Sequence, residues 1–330
     1  MVRDKKIDIL KAIGAILIIL AHVSNSPLIL QLRNFDVPLM VMISGYLAVD
    51  SLKKSESNMD YYRKRFIRLV VPTYIFLIFF FLITRLVTYG KPYPFDIKMI
   101  LKTFLLLDGI GYVWIIRVYL ICAIVTPILI YLENKFSKLV LVVSATAIYC
   151  IYEICYFYFG DTNILIKYII NYLVPYSVIL FIGMEIKRTE NKMITILTLL
   201  FLSCFIVLGV INYKIHGHFI PTQETKYPPR LYYLSYALMM SLLLFRILNN
   251  KQISNRIYNP IISFISRNSL WIYLWHIWYI YILSALEISW MIRFIAVLLC
   301  TLTTVCIQQK IIGYLESKNV NKNILKIFKG

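Results

Sequence analysis

Ten runs of predominantly apolar residues recur along this 330-residue chain, at about 7–26, 36–52, 69–87, 112–132, 139–158, 164–184, 193–211, 230–248, 269–287 and 291–313. Each is near the ~20 residues that a helix needs to cross a bilayer. A soluble domain of this length would be far more polar than 60% hydrophobic residues with a mean hydropathy of +0.74. The expected fold is therefore all-α: a polytopic integral membrane protein of about ten transmembrane helices, forming one membrane-embedded domain over residues 1–330. The second run is short and contains glycine. Residues 95–107 are apolar but too short to span, and read as an interfacial or re-entrant piece. No internal repeat or soluble domain boundary is visible.

A net charge of +19 would suit a nucleic-acid partner. No basic stripe forms on a soluble module, however, and the cations gather in short loops between apolar runs, so nucleic acid is rejected. Such loops set orientation and attract anionic lipid head groups. With the N-terminus inside, inner segments carry 24 of the 35 Lys and Arg residues and outer segments ten, while Arg117 falls within the fourth span. That asymmetry predicts both termini in the cytoplasm and an even number of spans. MVRDKK resembles a signal-peptide start, but no small-residue cleavage site follows, so the first run is expected to be retained. The abundance of Lys, Ile, Asn and Tyr hints at an AT-rich bacterial genome and concerns origin only; the expected location is a bacterial plasma (inner) membrane. Six cysteines lie inside apolar runs without paired spacing and read as packed thiols.

Ionisable groups inside lipid are costly, and those retained usually face a bundle interior and carry function. In DILKAIGAILIILAH, residues 8–22, Lys11 and His22 are eleven residues apart. That returns them to nearly the same helix face, about 16 Å apart along the axis. His22 reads either as a core histidine bridging two helices or as a general base. Ser269, Tyr273 and His276 recur at i, i+4 and i+7 and share a face. They form either an aromatic polar stripe for packing or the wall of a substrate path, with His276 a second catalytic candidate. Arg63, Lys64, Arg65 and Arg68 form a basic cluster. It serves topology alone or grips phosphate, for which guanidinium forks are suited. Arg117 and Glu153, in adjacent spans, are expected to form a buried ion pair. His216 and His218 lack a third ligand of convincing spacing, so no metal is expected.

Several segments together resemble membrane-bound acyltransferase family 3, whose members O-acylate extracytoplasmic glycans and related acceptors. They are DILKAIGAILIILAH at 8–22, VPLMVMISGYL at 37–47, YRKRFIRLVVP at 62–72, VWIIRVYLICAIVTPIL at 113–129 and SLWIYLWH at 269–276. The family usually has Arg where this chain has Lys11; Lys keeps the charge and loses the planar fork. Met and Val replace family aromatics in the second segment. The resemblance implies transfer of an acyl group, most often acetyl, from cytoplasmic acetyl-CoA to a hydroxyl of an extracytoplasmic or lipid-linked saccharide. His22 would be the base, with Lys11 and His276 also catalytic and Arg65 and Arg68 on the coenzyme. Ser44, Tyr46, Trp114, Ser269 and Tyr273 would line the substrate path. Acetyl-CoA enters as a substrate, and the expected partners are the glycan acceptor and membrane lipids. The rival reading is an exporter of polysaccharide or lipid-linked sugar, which would also use polar groups at mid-membrane.

Overall fold

The computed structural model describes residues 4–88, 93–160, 163–318 and 320–329, without the side chains of 322–324. Arg3 and Lys91, two of the residues behind the predicted orientation, lie outside the described residues. The chain is a bundle of α1 (Lys5–Val23), α2 (Pro27–Leu32), α3 (Asp36–Lys53), α4 (Asn58–Val87), α5 (Ile97–Phe104), α6 (Trp114–Lys135), α7 (Lys138–Phe159) and α8 (Asn171–Ile186). It continues with α9 (Asn191–His216), α10 (Leu231–Leu248), α11 (Lys251–Ile257), α12 (Pro260–Arg267), α13 (Ser269–Leu283), α14 (Trp290–Ser317) and α15 (Lys322–Phe328). A π-helical turn, Ile166–Ile170, leads into α8.

Among the described residues, eight helical stretches are long and apolar enough to cross a membrane. The other two expected spans are α1 and α13. In α1 the charged Lys5, Lys6, Asp8 and Lys11 interrupt the apolar run, and α13 has 15 residues. The protein is an all-α, multi-pass membrane protein.

α1 is the central helix because apolar or small residues surround its axis. Ile7, Ile9, Leu10, Ala12, Ala15, Ile18 and Ile19 are all buried, on every face, the pattern of a helix enclosed by others. Asp4 starts it by accepting a hydrogen bond from the Lys6 N–H at 3.0 Å. Asp8, buried, accepts from the Ser266 hydroxyl of α12 at 2.7 Å. α3 and α8 cross with their backbones touching. A Cβ on Gly45 would lie 2.1 Å from the Leu180 carbonyl oxygen, and one on Gly183 would lie 2.1 Å from that of Met42. Small residues permit this approach between membrane helices. α7 and α9 stand at the rim. α7 buries only Tyr149 and Tyr152, and α9 only Ile194 and Thr198, leaving apolar faces outward as hydrocarbon requires.

The short apolar piece forms α5 and then turns back. Gly109 has φ +31°, and a Cβ there would lie 2.2 Å from the Thr103 hydroxyl oxygen, so the turn closes on α5 only with glycine. Residues 105–113 thereby reach the end of α1. The 217–230 connection contains a 3₁₀ turn, Thr222–Thr225, that packs on the link between α2 and α3. Gln31 accepts from the Thr222 N–H at 3.0 Å, and Asn34 donates to the Thr222 hydroxyl at 2.9 Å.

Candidate active site

Two cavities lie end to end along α1. The wide one, about 780 Å³, opens at the end of the bundle where α1 begins. Lys11, Ser44, Tyr46, Arg65, Arg68 and Ser269 line it. The narrow chamber, about 100 Å³, lies at the other end. His22, Arg33, Asp36, Trp114, Gln223, Lys226 and Tyr227 line it. Ile18, Ile115 and Tyr273 line both, so these three side chains form the partition. On α1, Lys11, Ala15, Ile18 and His22 face the cavities as a stripe at intervals of four, three and four, with Ala21 beside His22 on the chamber wall. The wide cavity thus ends where the imidazole chamber begins.

His22 is the penultimate residue of α1. The Tyr112 ring meets it edge-on with centroids 4.8 Å apart, and the His276 ring lies 5.4 Å away. His276 is fully buried on α13. Its Nδ1 hydrogen-bonds to the Tyr273 carbonyl, which can only accept, so Nδ1 carries the proton. Nε2 is then a buried lone pair without a hydrogen-bond partner among the described residues. The Tyr273 hydroxyl donates to the Tyr112 carbonyl, clamping α13 to the 105–113 turn.

The floor of the chamber is a charge cluster. Asp36 Oδ2 accepts from Arg33 Nη1 at 2.8 Å, and Oδ1 from the Val37 N–H at 2.8 Å and Lys226 Nζ at 3.3 Å. The side chains of Arg33, Asp36 and Lys226 are 5%, 2% and 2% exposed. Burial pulls the Lys226 ammonium down to about 8, with the Asp36 carboxylate offsetting part of the drop. Trp114 and Tyr227 meet edge-on above, centroids 5.2 Å apart.

At the wide mouth, Arg65 stacks over Tyr61 at 5.3 Å, and Lys187 pairs with Asp50 at 2.6 Å. Lys11, Lys54, Arg65, Arg68 and Lys187 outnumber Asp4 and Asp50 on its walls. Nine of the ten sequence-predicted site residues line one or other cavity; His276 lines neither and instead packs its ring against His22.

Two expectations are corrected. Glu153 does not pair with Arg117. It accepts from Arg230 Nε at 2.6 Å and from the Leu231 N–H at 2.7 Å, holding the start of α10. Arg117 instead lies over the rings of Tyr172 and Tyr168, at 4.5 and 5.1 Å. The cysteines are not uniformly packed either. Cys122 is buried at the wide cavity, Cys204 is half-buried, and Cys150, Cys155, Cys300 and Cys306 face outward from rim helices. His218 Nδ1 bonds the His216 carbonyl at 2.9 Å at the exposed end of α9. Sequence reasoning missed Arg33, Asp36, Lys226 and Tyr112. An Asp directly before the Val-Pro of α3 was the one readable signal, since a carboxylate at a span boundary demands a cation.

Two cavities thus lie end to end inside a membrane-embedded bundle, with His22 in the narrow one and the His276 ring against it. The acyltransferase family 3 model, an acyltransferase domain, matches residues 4–308. The chain belongs to that family and is a membrane acyltransferase. No curated protein and no solved structure gives a significant match.

Proposed function

We propose that the protein transfers an acetyl group from cytoplasmic acetyl-CoA to a hydroxyl of an extracytoplasmic or lipid-linked saccharide, in a bacterial plasma membrane with both termini inside. The observation that carries this is the partition at Ile18, Ile115 and Tyr273, where a cation-rich wide cavity ends against the His22 chamber. The wide cavity would take the donor from the cytoplasm, with Arg65 and Arg68 on its phosphates and Lys11 further in. The pantetheine arm would run along α1, over a distance comparable to the ~16 Å between Lys11 and His22. Ser44, Tyr46 and Ser269 would flank it. The acceptor would enter the chamber between Trp114 and Tyr227.

A hydroxyl attacks a thioester carbonyl only as its proton leaves. Neutral His22 would accept that proton as the C–O bond forms, then deliver it to the departing thiolate of coenzyme A. His276 would hold its Nε2 lone pair beside His22 and steady the imidazolium that forms in between. A resident metal has no role in this scheme.

The exporter alternative predicts movement without chemistry. Purified protein in vesicles, given radiolabelled acetyl-CoA and a cell-envelope glycan extract, should label the glycan. Translocation of unmodified glycan with no label transferred would refute the proposal.

A further inference from the structure

The narrow chamber holds two cations and one carboxylate. Asp36 is already engaged by Arg33, Lys226 and the Val37 N–H. Neutral His22 adds no charge, so the chamber carries one positive charge in excess. All three side chains are buried, and a buried charge without a counter-ion is expensive. Donor capacity is also left over. Arg33 Nε has no hydrogen-bond partner among the described residues, and the three-proton Lys226 ammonium hydrogen-bonds only to Asp36 there. Both side chains line the chamber that His22 lines.

We propose that the acceptor is anionic: a carboxylate or phosphate, carried on or next to the sugar that is acylated, neutralises Lys226 and Arg33 beside His22. This rests on the acyl-transfer reading above and names the acceptor's chemical class. A chamber of about 100 Å³ places the anion within one sugar unit of the reacting hydroxyl. The same cations could instead serve the tetrahedral oxyanion, but they would then help neutral and acidic acceptors alike. A uronic acid supplies the anion as a carboxylate, and a lipid diphosphate carrier supplies it as phosphate.

Gln223 provides a shape-preserving test. Its Oε1 accepts from Arg33 Nη2 at 3.4 Å on the chamber wall, so Gln223→Glu gives the chamber its own counter-charge. Lys226→Gln removes the excess cation instead. Binding of three probes would be measured by thermal stabilisation of the full chain in nanodiscs: trigalacturonate, its carboxyl-reduced neutral counterpart, and a short-chain prenyl diphosphate-linked neutral disaccharide. Acetyl transfer to each would be followed in parallel. At least one anionic probe should bind the wild type tenfold or more tightly than the neutral one, and both variants should erase that preference. Trigalacturonate winning assigns a carboxylate, and the diphosphate winning assigns the carrier. No preference for either anion, or equal loss for all probes in Lys226→Gln, overturns the proposal. Acetyl transfer to the neutral probe without anion binding sinks the acidic acceptor and leaves acyl transfer standing. Anion binding without transfer to any glycan does the reverse.

Discussion

The cluster beneath His22 makes an asymmetric prediction about stability. Asp36→Asn keeps the shape but removes the carboxylate shared by Arg33, at 2.8 Å, and Lys226, at 3.3 Å. Two cations then remain buried together. Removing one partner of a buried pair costs about 3–5 kcal/mol, because the charge left behind has no counter-ion. That is roughly a 10²- to 10⁴-fold fall in the folded-to-unfolded ratio. Lys226→Met does the opposite. Asp36 keeps Arg33 and the Val37 N–H, so no charge is stranded and the excess cation is gone; stability equal to or above that of the wild type is expected. Titration with SDS in mixed micelles, followed by circular dichroism, measures both. A second signature is alkaline. Lys226 titrates near 8 in the fold against 10.5 when unfolded. Between those values the unfolded chain binds the extra proton, so wild-type stability should rise with pH there. The Lys226→Met protein should lack that rise. Equal destabilisation by Asp36→Asn and Lys226→Met would refute the charge count.

Gly45→Leu should prevent α3 and α8 from meeting, since even a Cβ there falls 2.1 Å from the Leu180 carbonyl; protease resistance and yield in detergent should collapse, whereas Gly313→Ala, in open space, should be silent. Changing Arg65 and Arg68 together to Gln should raise the KM for acetyl-CoA about tenfold or more with a smaller effect on the acceptor KM, and added salt should weaken donor binding more in the wild type than in the double variant. Lys11→Ala should cut turnover strongly at unchanged membrane level, because Lys5 and Lys6 still anchor the start of α1, while Lys11→Arg should retain activity; wild-type turnover by the Ala variant would reduce Lys11 to an anchor.

The helices were legible because length and hydropathy decide whether a segment lies in lipid, and both are written locally. The α1 stripe was legible for a similar reason: a single helix converts spacing into a face, so Lys11 and His22 could be set in line without any tertiary information. Pairings between elements obey no such rule. Asp36 and Lys226 are 190 residues apart, each in or beside a loop that holds other charges, Arg33 in one and Glu224 and Arg230 in the other. Nothing in either neighbourhood names the other. Arg117 and Glu153 failed as a pair because adjacency of spans says nothing about rotation. α7 turns Glu153 toward the first turn of α10, and α6 turns Arg117 onto the aromatic face of Tyr172. The cysteines misled because apolar sequence in a membrane helix marks lipid contact as readily as core. Tyr112 was hidden in a turn whose path depends on Gly109 closing against Thr103.

The central claim is that His22 takes the proton from the acceptor hydroxyl. The direct measurement is the initial rate of acetyl transfer from radiolabelled acetyl-CoA to glycan by His22→Ala, against wild type, at matched nanodisc occupancy and matched donor binding. General-base catalysis is worth about 10²- to 10⁴-fold, so the variant should fall by at least 10² while still binding acetyl-CoA in the wide cavity. A well-inserted His22→Ala protein that transfers acetyl at the wild-type rate would contradict the account.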